Sequence, residues 1–358
     1  MTAQPLTPCP AALTAGGPTP HPCRAPTRRA LCDGAAMRMC LPLPVAFVVL
    51  AILWLAGAAA APAVAAAADG TQPRVTERMV PAGDVRLFVR AVGGRPAGPS
   101  LILISGGPVP HGYMEALEGL ASPQLRVVTY DQRGVGRSTT PSRPAFSQAA
   151  YVRDLDAVRS ALRIKRPHLL GHSWGGLIAQ SYTAAHRARV RSLTLVDSDP
   201  ADGPAFAAGD RRFGKRIGHL MAAGKIPDPL PPVTGDDCSA VLAAIFPVFL
   251  GNPDLVPPTG AVPMECRQSV GDQWSAALSR RALARVRAGL RRYRGPALIV
   301  AGTRDPYGAG STIAPQRTVL AAARPRVARI PGAGHFPWLE SARFIPIVRR
   351  FLASHAST

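Results

Sequence analysis

The sequence is poor in aromatic and acidic residues, and its cysteines are few for its length. Aromatic residues make up 6% of the 358 positions, which argues against a base-stacking platform for single-stranded nucleic acid. Six cysteines are too few for a disulfide scaffold of this size. Acidic residues number 21 against 42 basic ones, a net charge of +21, and lysine occurs only at positions 165, 215 and 225. The arginine-rich chain is therefore expected to be attracted to anionic surfaces such as phospholipid, cell wall or nucleic acid.

Apolar residues, in contrast, are plentiful. They make up 47% of the chain, which excludes intrinsic disorder for most of it and allows a large buried core. The length fits one large domain or two ordinary ones.

An uncharged run from residue 41 to residue 68 separates a leader from the rest of the chain. Arg38 precedes the run, whose first part is densely apolar and whose second part is rich in alanine. This order is typical of a secretory signal peptide, translated from Met37 or Met39 and cleaved between Ala63 and Ala68. We expect a secreted or extracytoplasmic protein. The alternative is an uncleaved N-terminal membrane anchor, because the run is long enough to span a bilayer.

The cysteine distribution favours export as well. Four of the six cysteines lie in the leader, so Cys238 and Cys266 are the only pair in the remaining chain. An even pair in an oxidising compartment predicts one disulfide. Two free buried thiols are the alternative.

Beyond the leader, apolar segments rich in β-branched residues alternate with segments of helical period. Strands are predicted at 85–92, 101–104, 125–130, 168–170, 192–196, 297–301 and 327–330, and helices at 113–120, 149–162, 176–186 and 342–352. This alternation predicts an α/β fold with a mostly parallel sheet covered on both faces. Residues 201–294 break the rhythm with three helical segments, 211–223, 238–250 and 274–290, which predict a helical lid. The expected organisation is a leader at 1–68, a core at 69–200 and 295–358, and the lid at 201–294.

The sharpest motif is Gly171-His172-Ser173-Trp174-Gly175, which follows a predicted strand directly and precedes a predicted helix. This is the G-x-S-x-G elbow in the strand–turn–helix context that it requires. Glycines on both sides allow a strained turn that lifts the serine hydroxyl above the sheet. The motif predicts that Ser173 is a nucleophile.

A serine nucleophile needs a general base that is held by an acid. In chain order, Asp305 follows the predicted strand 297–301 and His335 follows the strand 327–330. Both lie where loops converge on the carboxyl ends of parallel strands, so we predict His335 as the base and Asp305 as the acid. Asp197 or Asp199, after the strand 192–196, is the alternative acid.

Two backbone N–H groups are candidates for stabilising an oxyanion. Trp174 follows the nucleophile at the start of a helix, and Gly107 lies in a glycine loop after the strand 101–104. Consecutive glycines permit close approach of the backbone to a substrate. These two residues are the predicted oxyanion hole. A simple tight turn is the alternative for the glycine loop.

These motifs carry a resemblance to a known family. From about residue 80 to residue 351 the chain resembles the α/β-hydrolase superfamily and, within it, the proline iminopeptidase-like branch. The matching features are Gly-Gly-Pro at 106–108, Asp-Gln-Arg-Gly-Val-Gly-Arg-Ser at 131–138, Ser-Trp-Gly-Gly at 173–176 and the helical insertion before the acid-bearing strand. The resemblance implies that Gly107 and Trp174 form the oxyanion hole. Ser105 and Val109 depart from the branch's pattern at the two ends of the glycine loop.

The expected activity is a serine hydrolase that cleaves small peptides at an N-terminal proline or apolar residue. The alternative is a carboxylesterase, lipase or acyltransferase acting on small or cell-envelope esters, and a non-catalytic binding protein is the minor alternative. No cofactor is expected, and no metal, because cysteines and histidines lack ligand spacing. The expected partners are a small substrate and an anionic envelope surface. Arginines are spread along the chain without a nucleic-acid recognition motif, and their local density at 280–294 is read as a solvated face.

Overall fold

The computed structural model describes residues 73–356, apart from residues 96–97, 108, 143–145, 259–261, 263–264 and 277. The predicted leader, its start site and its cleavage site lie outside these residues. No helix in the described part of the chain has the length and apolar character needed to cross a membrane.

One sheet of eight strands organises the described residues, in the order β1-β2-β4-β3-β5-β6-β7-β8. From β1 to β8 the strands are Val75–Ala82, Val85–Val92, Ser100–Ile104, Arg126–Tyr130, His168–His172, Ser192–Val196, Ala297–Gly302 and Arg326–Ile330. β2 is antiparallel to both its neighbours, and the remaining pairs are parallel. The parallel strands therefore end at one edge of the sheet, the carboxyl edge, and begin at the opposite one, the amino edge.

Ten α-helices occur in the described residues. From α1 to α10 they are Gln148–Ala161, Trp174–Ala185, Gly203–Ala222, Ser239–Phe249, Gln268–Ala276, Arg280–Leu290, Ala309–Thr312, Ala314–Val319, Pro337–Glu340 and Phe344–Ala353. A ten-residue 3₁₀ helix, His111–Leu120, follows β3. Helices α3 to α6 lie between β6 and β7 in the chain, within residues 201–294, which we call the insertion.

Side chains alternate between two apolar cores, one on each face of the sheet. In β3, Ile102 and Ile104 join the core that packs against α1, α2 and α6, whereas Leu101 and Leu103 join the core under the 3₁₀ helix and α10. All four side chains are fully buried. Each contributes roughly 1.5–3 kcal/mol by its removal from water. Burial on both faces explains why the central strands are continuous apolar runs.

The predicted α/β-hydrolase fold is confirmed, with some local differences. All seven predicted strands are present. β1 was not predicted because its first five residues are largely solvent-accessible and show no apolar run. The prediction of a single helix at 274–290 is wrong. The structure ends α5 at Ala276 and starts α6 at Arg280, because the Ser279 hydroxyl caps α6 by accepting a hydrogen bond from the Ala282 N–H.

The insertion contacts the rest of the fold at several places, two of which adjoin Ser173 and His335. Trp274 of α5 stacks on Trp174, with ring centroids 4.0 Å apart. At the other place, the backbone N–H of His335 donates to the carbonyl oxygen of Phe249 at 2.7 Å. Within the insertion, Cys238 and Cys266 form a disulfide with a Cα separation of 5.0 Å.

Candidate active site

Ser173 stands at the turn between β5 and α2. Its backbone has φ 52° and ψ −125°, a positive φ that a residue with a side chain adopts only when its surroundings impose it. The turn is held in this conformation because α2 starts very close to β3. A Cβ atom on Gly175 would overlap the carbonyl oxygens of Ile104 and Ser105. Only glycine lets α2 start this close to β3. The G-x-S-x-G spacing therefore produces the strained elbow in which Ser173 lies.

The predicted base and acid are in contact. The Nδ1 atom of His335 lies 2.8 Å from Oδ1 of Asp305, and both side chains are almost completely buried. Asp305 follows β7, and His335 follows β8. Aromatic rings of Tyr307 and Phe249 pack on the His335 imidazole at centroid distances of 5.0 and 5.6 Å. The carboxylate fixes the ring orientation and leaves Nε2 as the nitrogen available to a nucleophile.

The glycine loop lies beside the elbow. A Cβ on Gly106 would come within 3.3 Å of the Ser173 Cβ, and a Cβ on Gly107 would come within 2.7 Å of the Trp174 indole. Among the described residues, the Gly107 N–H donates to no protein acceptor. The Trp174 N–H begins α2, where the helix offers it no partner. Both predicted oxyanion donors are therefore placed next to Ser173 with N–H groups available.

A chain of buried hydrogen bonds links the glycine loop to the base. The Gly106 N–H donates to the Tyr113 hydroxyl at 2.5 Å. That hydroxyl lies 2.8 Å from Nδ1 of His172, and Nε2 of His172 lies 2.9 Å from the carbonyl oxygen of His335. Burial, reinforced by His335, holds the pKa of His172 well below its usual range. A neutral His172 satisfies every bond when Tyr113 donates to Nδ1 and Nε2–H donates to His335.

Sequence reasoning missed this chain. Tyr113 and His172 are 59 positions apart, and no motif of the sequence connects them. The same holds for Gln132, whose side-chain amide donates to the Ser105 carbonyl at 2.6 Å and so supports the glycine loop. No sequence signal marks these residues, because their role depends on contacts between distant segments.

The alternative acids lie close to the base without contacting it directly. Asp197 accepts a hydrogen bond from the Gly302 N–H at 3.0 Å. Burial, together with the negative charge of Asp305, raises its pKa well above its usual range. Asp199 is bound to the elbow through its backbone, since its N–H donates to the Ser173 carbonyl at 3.0 Å. Asp305 is thus the carboxylate that the structure brings to His335.

A second acidic feature consists of Asp199, next to the elbow, and Asp210 of the insertion. Burial raises the pKa of Asp199 to about 8, and Asp210 of α3 and Asp305 add to that shift. Burial also raises the pKa of Asp210 to about 6, although the residue as a whole remains exposed. Burial raises the pKa of Tyr307, whose ring packs on His335, well above its usual range, and the charges of Asp199 and Asp210 add to that shift. Among the described residues, neither carboxylate makes an ion pair or accepts a hydrogen bond.

The 131–138 segment and His111 are held by buried contacts within the fold. Arg133 forms a bidentate ion pair with Asp154, with both N···O distances 2.7 Å. Asp131 accepts from the Arg137 N–H at 2.8 Å and contacts His111 Nδ1 at 2.6 Å. These contacts give Asp131 and Arg133 a structural role and bind His111 to Asp131.

Comparisons with known proteins support the same fold. A family profile described as the alpha/beta hydrolase fold matches residues 99–221. The proline iminopeptidase of Lactobacillus delbrueckii subsp. lactis is 36% identical over 128 residues, 34% of this chain and 44% of the relative. The proline iminopeptidase of Clostridium botulinum is 35% identical over 132 residues, 36% of this chain and 45% of the relative. The matched part thus spans less than half the length of these curated relatives.

Solved structures match over more of the chain. The proline iminopeptidase of Mycobacterium smegmatis has a TM-score of 0.55 and 24% identity, covering 78% of this chain and 99% of its own. An esterase from Exiguobacterium antarcticum has a TM-score of 0.55 and 18% identity, covering 79% and 100%. At these identities the likeness shows the fold. The chain has the α/β-hydrolase fold, and its predicted resemblance to the proline iminopeptidase-like branch is confirmed.

Proposed function

We propose that the chain is an exported serine aminopeptidase that releases an N-terminal proline or apolar residue from short peptides. Ser173, deprotonated by His335, attacks the carbonyl carbon, and the N–H groups of Gly107 and Trp174 stabilise the oxyanion. His335, held by Asp305, protonates the leaving amine and then activates the water that hydrolyses the acyl-enzyme. The apolar run at 41–68 supports export.

The carboxylates of Asp199 and Asp210 favour a peptide over an ester. They form no ion pair among the described residues. Their raised pKa values report the cost of charging them there, which for Asp210 the neighbouring Arg211 offsets only in part. The ammonium group of a peptide N-terminus would supply the missing positive charge and would itself be charged at neutral pH. An ester without an amine gains nothing from these carboxylates.

A substrate comparison tests the proposal. We expect turnover of prolyl and other aminoacyl anilides, and none by S173A. In D199N the KM for a prolyl anilide should rise about tenfold, since a charge-assisted hydrogen bond is lost. D272N, which removes an exposed carboxylate of α5, should change KM by less than about twofold.

The pH dependence of KM provides a second measurement. Since the pKa of Asp210 is about 6 and the substrate amine loses its charge only near pH 8, KM for an aminoacyl anilide should fall as the pH rises from 5 to 7. KM for a nitrophenyl ester should stay flat over this range. Turnover of esters alone would establish the esterase or acyltransferase alternative. Unchanged activity in S173A would overturn the site assignment, and no turnover on any substrate would favour a binding protein.

A further inference from the structure

The segments that lead into four neighbouring parallel strands are all basic. Residues 163–167 precede β5, residues 187–191 precede β6, residues 291–296 precede β7, and residues 324–326 lead into β8. Each of the first three segments contains three Arg or Lys residues and the last contains two, while none contains Asp or Glu. The arginines that are scattered along the sequence thus recur at one structural position.

Pairing of the strands brings these segments side by side at the amino edge. The Arg191 N–H donates to the Pro167 carbonyl at 2.8 Å, which joins the first two segments. The Leu193 N–H donates to the Pro296 carbonyl at 3.0 Å, which joins the second and third. Arg326 pairs with Leu298 in the register of β7 and β8. We call this continuous surface the basic edge.

The cations of the basic edge face solvent. All of its Arg and Lys side chains except Arg191 belong to exposed residues. Asp156, from α1, pairs with Arg189 at 3.2 Å. In the described part of the chain, no carboxylate forms an ion pair with Lys165, Arg291 or Arg294. Their mutual repulsion is therefore relieved only by solvent ions, which an anionic partner would displace.

We propose that the basic edge docks the protein on an anionic phospholipid bilayer. Juxtamembrane cations bind such surfaces additively, through charge and not through shape. The four segments together carry eleven Arg or Lys residues and no Asp or Glu, which makes the basic edge the kind of polybasic surface that anionic lipids attract.

Nucleic acid fits this surface less well. The only aromatic residue of the four segments is Tyr293, which is 1% exposed, so no ring is available for base stacking. Docking by the amino edge would also leave the carboxyl edge, with Ser173, facing away from the bilayer.

The three lysines of the full chain allow a direct test. Lys165 lies on the basic edge, whereas Lys215 is exposed on α3 of the insertion. We would acetylate the full-length protein on phosphatidylcholine vesicles with and without phosphatidylglycerol, and measure each site by mass spectrometry. Phosphatidylglycerol should slow acetylation of Lys165 by about fivefold or more and leave Lys215 unchanged. Equal labelling of Lys165 on both vesicles, or equal protection of both lysines, would overturn the proposal.

Charge-reversal variants supply the matched control. The test variant carries three reversals on the basic edge: K165E, R291E and R294E. The control variant carries the same charge change on α3, on α6 and at the N-cap of α10: K215E, R281E and R343E.

The test variant should lose the gain in vesicle affinity that phosphatidylglycerol confers, by about tenfold or more at 0.1 M salt, and the control should keep it. Equal losses in both variants would mean that net charge alone attracts the protein, which contradicts docking by this edge. If duplex DNA displaces the protein from vesicles at equal phosphate concentration, the partner of the basic edge is nucleic acid and the bilayer proposal is wrong.

Discussion

The carboxyl edge of the sheet holds an acid and a base that are buried and in contact, whereas most of the arginines and lysines of the amino edge are exposed. At the carboxyl edge, Asp305 and His335 meet in a contact of 2.8 Å with almost no solvent access. Lys165 and Arg294, at the opposite edge, point into water without a partner among the described residues. Burial gives each group at the carboxyl edge a strong effect on its neighbours. At the amino edge each cation is weak alone, and only the sum of many matters.

The largest effect on kcat is expected from replacing Asp305, one of two buried carboxylates at the carboxyl edge, and replacing the other, Asp197, provides the comparison. D305N should lower kcat by roughly 10³-fold or more, because the amide no longer holds His335 in the required tautomer. D197N should leave kcat within about tenfold, since burial and Asp305 already favour the neutral form of Asp197 and an amide oxygen can still accept from Gly302. Steady-state kinetics of both variants measure this. Inactive D197N beside active D305N would move the acid role to Asp197.

A pair of buried tyrosines compares the edges directly. Tyr113 joins Gly106 to His172 at the carboxyl edge, and the Tyr293 hydroxyl donates to the Pro296 carbonyl at 3.1 Å at the amino edge. Y113F and Y293F should each cost about 1–3 kcal/mol of stability. Only Y113F should also lower kcat, by about tenfold, because it loosens the oxyanion loop. A similar fall in kcat for Y293F would show that the loss reflects stability alone.

The last prediction concerns the acid sensitivity of β5, which has a buried histidine at each end. Burial, with Arg191 nearby, lowers the pKa of His168 to about 3. The unfolded chain binds the proton near pH 6.5 while the folded chain does not, so stability should fall as the pH drops from about 6.5 towards 3, by up to about 1.4 kcal/mol per pH unit. H168Q should show a shallower loss between pH 6.5 and 4.5 in urea unfolding. An unchanged slope would mean that His168 is protonated in the folded protein.

The sequence predicted what local pattern controls. Apolar runs located the central strands, and the elbow motif located Ser173, because both depend on residues adjacent in the chain. β1 was not predicted because an edge strand needs no continuous apolar run. The break between α5 and α6 depends on a single capping serine, Ser279, within an otherwise helical pattern.

Long-range contacts were beyond the sequence. Nothing in the local pattern indicates that Tyr113 touches His172, or that Asp199 and Asp210 face the same site. The basic edge was not predicted for the same reason, because its segments are far apart in the chain and become neighbours only through the strand order. Which of these distant residues become neighbours is decided by the complete fold.

The hydrogen bond from His335 to Phe249 has a consequence for protein engineering. The backbone that positions the His335 imidazole rests on the end of α4, and a Cβ on Gly334 would overlap the Phe249 carbonyl oxygen. Residues 201–294 are therefore not an exchangeable module. A chimera that takes residues 201–294 from a relative must also keep a matching end of α4 and the glycines that face it. Otherwise the backbone of His335 will be displaced.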